Sequence, residues 1–101
     1  MIPGVMLDRL TAADFAPHLG ADFRLHADDT TVLEAELIDV QEGVPTVGTR
    51  TPFSLVFRGP LEPLLPQAIY RFEHDTLDPF EVFIVPIGPD EAGMRYEVVF
   101  T

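Results

Sequence analysis

Hydrophobic and polar positions alternate most clearly in the second half of the chain. Four stretches there are rich in β-branched and aromatic residues: FSLVFR (53–58), AIYRFEH (68–74), FEVFIVPI (80–87) and MRYEVVF (94–100). Each is bounded by Pro, Gly or Asp, which predicts short antiparallel strands joined by tight turns. In the third stretch both faces are apolar apart from Glu81, so this strand is expected to be the most deeply buried. Two more strands are predicted upstream, at about 23–27 and 31–40. In the latter, Leu33, Ala35 and Leu37 share one face and Glu34 and Glu36 the other. Past Leu37 the alternation slips, as a β-bulge would make it do.

One helix precedes the strands, at about 12–19. Thr11 is placed to cap it with Asp14 three residues on, and Gly20 is a natural stop. Pro17 sits badly inside it, because proline removes a helical hydrogen bond. Six strands and a short helix predict a mainly β domain: a compact six-stranded antiparallel barrel or barrel-like meander, with the helix as a plug or cap. Closure would remove the exposed edges of so apolar a strand set. A two-layer β-sandwich is the alternative.

Composition makes this one domain spanning 1–101, large enough to hold a core without staples. The absence of cysteine removes disulfides, thiolate metal sites and cysteine nucleophiles. The formal net charge is −11, and all six basic residues are arginine. Nucleic acid and anionic membrane surfaces are therefore poor partners. No apolar run approaches the ~20 residues that cross a bilayer. The opening MIPGVMLDRL lacks the basic region of a secretory signal, so a cytoplasmic product is expected.

Candidate chemistry is sparse, and no enzyme is expected. Glu34 and Glu36 would lie about 7 Å apart on one strand face, but alternation alone produces such a pair, and Arg58, Arg71 and Arg95 are available across the sheet. Ser54, the single serine, falls mid-strand and outside any nucleophile-elbow context. No glycine-rich phosphate cradle is present. His18 lies near the end of the helix, where an imidazolium suits the dipole. His26 and His74 could meet Asp28, Asp29 or Asp75, but no ligand spacing supports a metal site, so no cofactor or metal is expected. His74 reads more plainly as a partly buried hydrogen-bonding residue.

The loop at 59–67 (GPLEPLLPQ) is the most distinctive segment. Prolines 60, 63 and 66 recur every third residue, which suits polyproline II, with Leu61, Leu64 and Leu65 between them. These leucines either fold over the barrel mouth or form a rigid apolar contact for another protein. Arg58 at the loop's start and Gln67 at its end are placed to fix it by hydrogen bonds. The competing arrangement is a small-molecule or metal-binding barrel in which Tyr70, Phe72, His74 and Tyr96 line an interior pocket. Six strands usually enclose too little space for that once side chains fill the interior.

The series MLDRLTAADFAPHLG, PFSLVFRGPLEPLLPQAIYRFEHD, FIVPIGPD and GMRYEVVF resembles a family of small bacterial domains of unknown function, over about residues 7–100. Typical members carry a glycine in the turn after the Glu-His pair, where this chain has Asp78-Pro79. The resemblance brings no catalytic residues. It implies a compact bacterial domain that works with a tail-collar-like, tail-fibre-like or surface-fibre protein. The sequence is also compatible with a homo-oligomer. The expected function is thus a non-enzymatic interaction or assembly module.

Overall fold

The computed structural model describes residues 10–44 and 51–100. The opening nine residues and most of the predicted 42–51 loop lie outside them. Six antiparallel strands close into a barrel: β1 (Asp22–His26), β2 (Val32–Glu42), β3 (Phe53–Gly59), β4 (Ala68–His74), β5 (Leu77–Asp90) and β6 (Gly93–Phe100). The closure removes the sandwich alternative. Around the barrel the order is β1-β2-β3-β6-β5-β4, with β4 pairing back onto β1. Each half, β1–β3 and β4–β6, is a three-stranded meander. Two pairings are non-consecutive, β3 with β6 and β1 with β4, and they leave β4 on the opposite side of the barrel from β3.

Local chemistry sets the strand ends. The β1–β2 turn is held by Asp28, whose Oδ1 accepts the Thr30 and Thr31 amides at 2.8 Å each. Asp90 Oδ1 does the same for the Ala92 and Gly93 amides, at 2.9 and 3.0 Å. The slip past Leu37 is a bulge, where the β2–β3 register shifts between Leu37 and Asp39. β5 runs longer than its apolar pattern predicts. The turn after β4 takes only Asp75 and Thr76, so Asp78-Pro79 lies within the strand and not in the turn. At the other end Gly88, at φ 109°, lets β5 bulge between Pro86 and Gly88 and continue to Asp90. Gly93 is required for a different reason: a Cβ there would collide with the Gly59 carbonyl oxygen on the paired strand.

The predicted helix is shorter than expected. α1 (Ala12–Phe15) makes one turn, and Pro17 forces the chain into a 3-10 turn (Ala16–His18). The Asp14 carboxylate accepts the Thr11 amide at 2.8 Å, as the capping pattern implied. Gly20, at φ 89°, then redirects the chain into β1.

Inward side chains fill the barrel, and each end is closed by a residue from outside the sheet. At the end where β1 begins, Phe15 of α1 is fully buried. Its ring lies edge-on to Phe80 with centroids 5.5 Å apart, and 5.8 and 6.0 Å from Phe100 and Phe53. At the opposite end Leu65, from the β3–β4 loop, is buried beside Tyr96. Truncating a buried phenylalanine leaves a cavity as well as losing its transfer energy, about 3–5 kcal/mol in all. Phe15→Ala is therefore expected to lower the unfolding free energy by about that amount, read by urea titration, with the far-UV signature of the barrel retained.

Candidate functional site

The proline-rich loop is the most constructed non-strand segment among the described residues. It must carry the chain from β3 across the barrel mouth to β4 on the far side. It makes this crossing through bends at residues 61–63, and not as the regular polyproline II run that its proline spacing suited. Two tyrosines hold it down. The Leu65 amide donates to the Tyr96 hydroxyl at 3.0 Å, and the Tyr70 hydroxyl donates to the Pro66 carbonyl at 2.8 Å. Burial, and then the nearby Tyr96, push the Tyr70 hydroxyl above its ordinary pKa, so it stays protonated as a donor. The three leucines divide. Leu65 is 5% exposed and plugs the mouth, while Leu61 and Leu64 are each 55% exposed.

Neither polar residue expected to fix the loop does so. Arg58 turns away from it, to Asp90 in the β5–β6 turn and to Glu36 on β2. Its Nε donates to Asp90 Oδ2 at 2.9 Å, its Nη2 to the same oxygen at 2.6 Å, and its Nη1 to Glu36 Oε1 at 3.4 Å. The reason is register: Glu36 is the direct cross-strand neighbour of Arg58, and Asp90 sits in the turn beside it. Gln67 is exposed, and Tyr70 secures that end of the loop instead. Asp90 carries no sequence signal beyond its Asp-x-x-Gly turn pattern. Its carboxyl is pushed down to about 2, first by the Arg58 hydrogen bond and then by the Ala92 amide. The stabilisation this represents is present above the ordinary pKa of 3.8 and is lost as pH falls toward about 2.

The four residues of the interior-pocket alternative do not converge. Tyr70 and Tyr96 lie under the loop with their hydroxyls engaged, and Phe72 is stacked on Phe80 in mid-barrel at 5.4 Å. His74 is at the opposite end, packed on Phe23 and His18 at 4.8 and 4.6 Å between ring centroids. Three surface grooves of about 310, 280 and 330 Å³ draw their linings from other residues, the first lying between Phe15 and the β4–β5 turn. His26 and His74 fall on opposite faces of the sheet. His26 points outward to Glu73, at 2.9 Å. No group of three metal-ligating side chains occurs among the described residues. Glu34 and Glu36 occupy a solvated face, where Arg58 pairs with Glu36, while Arg71 pairs with Glu73 at 3.3 Å.

The outer face of β5 departs from expectation. Phe80, Val82 and Ile84 point inward and are buried, but Phe83 on the other face is uncovered. Its cross-strand neighbour Ile69 is exposed as well.

These features define a class: a filled, closed six-stranded antiparallel barrel whose distinguishing surfaces lie outside it. The chain belongs to the family described as Domain of unknown function (DUF6916), whose model matches residues 10–100. No curated protein and no solved structure matches it. The glycines of the chain's VPIGP and GMRYE segments are Gly88 and Gly93, which the bulge and the close β3–β6 approach require. No helix among the described residues is long and apolar enough to cross a membrane.

The surroundings of His74 hold its pKa below the ordinary histidine value. Its Nδ1 accepts the Thr76 amide at 3.1 Å, a bond that exists only while that nitrogen is unprotonated. Burial, His18 and Arg24 all push its pKa down, and Asp75 only partly opposes them. The folded chain thus binds fewer protons than the unfolded one below the ordinary pKa of 6.5. Stability is expected to be full above about pH 6.5 and to fall as the solution is acidified below it. His74→Gln is expected to flatten this slope, measured as urea midpoints at several pH values.

Proposed function

We propose that the chain is a non-enzymatic protein-interaction module that engages its partner through Leu61 and Leu64. The observation that carries this reading is the division of the loop's leucines. One is driven into the barrel as an anchor, so the other two are displayed on a segment whose ordering cost is already met before binding. Prolines on both sides restrict the unbound loop further. The family resemblance points to a bacterial role as an accessory to a tail-fibre-like or surface-fibre protein. The ligand-binding barrel loses support, because Tyr70 and Tyr96 lie at one end of a filled interior, His74 at the other and Phe72 between them.

Affinity capture from the native lysate tests this reading. The tagged chain is expected to retain one partner, and the Leu61→Ser, Leu64→Ser double variant to lose it by about tenfold or more, as truncated interface anchors do. Leu65→Ser is expected to act differently, lowering the thermal midpoint because it opens the barrel mouth. A double variant that captures the partner as well as the parent does would remove the loop from the interface. Capture of nothing would return attention to small molecules.

A further inference from the structure

α1 and its 3-10 turn sit on one end of the barrel as a stopper, held there by apolar, backbone and imidazole contacts. Phe15 is buried among Phe23, Phe53, Phe80 and Phe100. Behind it the Gly20 amide donates to the Leu37 carbonyl of β2 at 2.8 Å, and the Ala21 amide closes the turn on the His18 carbonyl at 2.9 Å. The imidazole contact lies between these ties. His18 ends the 3-10 turn and His74 ends β4, and their ring centroids are 4.6 Å apart with the planes at 63°. Phe23 packs on both rings, at 6.2 and 4.8 Å, and both histidines are half-buried. A titratable group on the stopper thus meets a titratable group on the barrel, over an apolar ring.

Neither ring forms an ion pair among the described residues. Asp75, next to His74, favours a proton there, but it is bonded at 2.9 Å to Arg24 of β1, which disfavours one. Glu73 turns to the outer face, toward His26 and Arg71. On α1, Asp14 accepts the Thr11 amide and hydroxyl at 2.8 and 3.3 Å, while Asp22 of β1 and Asp78 of β5 are exposed. A proton on His74 Nδ1 displaces the Thr76 amide, which donates to that nitrogen at 3.1 Å. Because Nδ1 is engaged, the neutral ring carries its proton on Nε2, and no free lone pair is left for a metal ion. Two imidazolium rings at this separation would also repel each other. Moving the stopper away relieves that repulsion without unpairing any strand of the barrel.

We propose that His18 and His74 form an acid-operated latch, which seats the stopper while the pair is neutral and loosens it when both rings take up protons. The closed stopper holds fewer protons than the open one, so its opening rises as the solution is acidified and levels off once both rings are charged in either state. Burial of Phe15 opposes the opening throughout, so acid raises the open fraction and does not release the stopper outright. The surface uncovered is the aromatic layer of Phe23, Phe53, Phe80 and Phe100, which the neutral chain hides. The latch does not depend on the Leu61 and Leu64 surface, which belongs to the loop at the other end of the barrel.

Hydrogen exchange of the isotope-labelled full chain tests the latch, with rates corrected for the intrinsic pH dependence of amide exchange. Between about pH 7.5 and about pH 5, a range that spans the ordinary histidine pKa, the Gly20 and Ala21 amides are expected to open about tenfold more often relative to the paired amides of β3 and β6. That factor lies between the aqueous and protein-surface limits for two unit charges at this separation. His18→Gln, and separately His74→Gln, are each expected to remove most of the increase. The ring signals give a second reading that needs no variant. In the parent chain each histidine's titration is expected to carry a step from the charging of the other. In His18→Gln the His74 midpoint is expected to move up. Three results would overturn the proposal. No relative acceleration at Gly20 and Ala21 would leave the stopper seated in acid. Equal acceleration of the β3 and β6 amides would mean that acid loosens the whole barrel. Independent single-step titrations, with the His74 midpoint unmoved in His18→Gln, would mean that the rings do not sense each other.

Discussion

A closed six-stranded barrel has two open ends, and this fold depends on how they are stopped. Side chains from the strands fill the middle, but neither rim can be packed from the sheet alone. Phe15 fills one rim from α1, against Phe23, Phe53, Phe80 and Phe100. Leu65 fills the other from the β3–β4 loop, where its amide meets the Tyr96 hydroxyl. Each stopper lies just before the first strand of a three-stranded half, so the connections that enter the two meanders also close the barrel. The loop's rigidity is a consequence of its structural task, and its outward leucines inherit that rigidity.

The rest of the surface follows from the shortest seam. β1 and β4 share only three paired positions, against seven between β3 and β6. A short ladder is where a barrel would open and expose strand edges to other chains. The outward side chains there are charged and mutually engaged, with Glu73 accepting His26 and Arg71. Those contacts hold Glu73 below the usual carboxylate range, led by the His26 hydrogen bond. Exposed ion pairs add little stability individually, but charge along the seam makes it a poor template for a further strand. The apolar row on β4 and β5 lies on a longer ladder, where the strands are in no danger of parting.

Much of this architecture was legible in the alternation. All six strands and the bulge past Leu37 follow from period-two patterning and turn residues. The β3–β6 pairing was not, because non-consecutive strands are matched by the shapes of their side chains and no local pattern records that. Arg58 was misread for the same reason: its strongest partner, Asp90, is 32 residues away. Leu61, Leu64 and Leu65 could not be sorted, since a proline-pinned loop has no period that separates inside from outside. Phe83 exposes a further ambiguity. A strand that is apolar on both faces reads as doubly buried, and the sequence does not say whether the second face is covered by its own chain.

The account rests on the loop being a fixed part of the barrel, with Leu61 and Leu64 displayed as a consequence. The exchange rate of the Leu65 backbone amide with solvent deuterium tests this most directly. If the amide is buried and bonded to Tyr96, it is predicted to exchange as slowly as the paired amides of β3 and β6, opening only with the barrel. Exchange at the rate of an open surface loop would contradict the account, because the leucines would then have no rigid support.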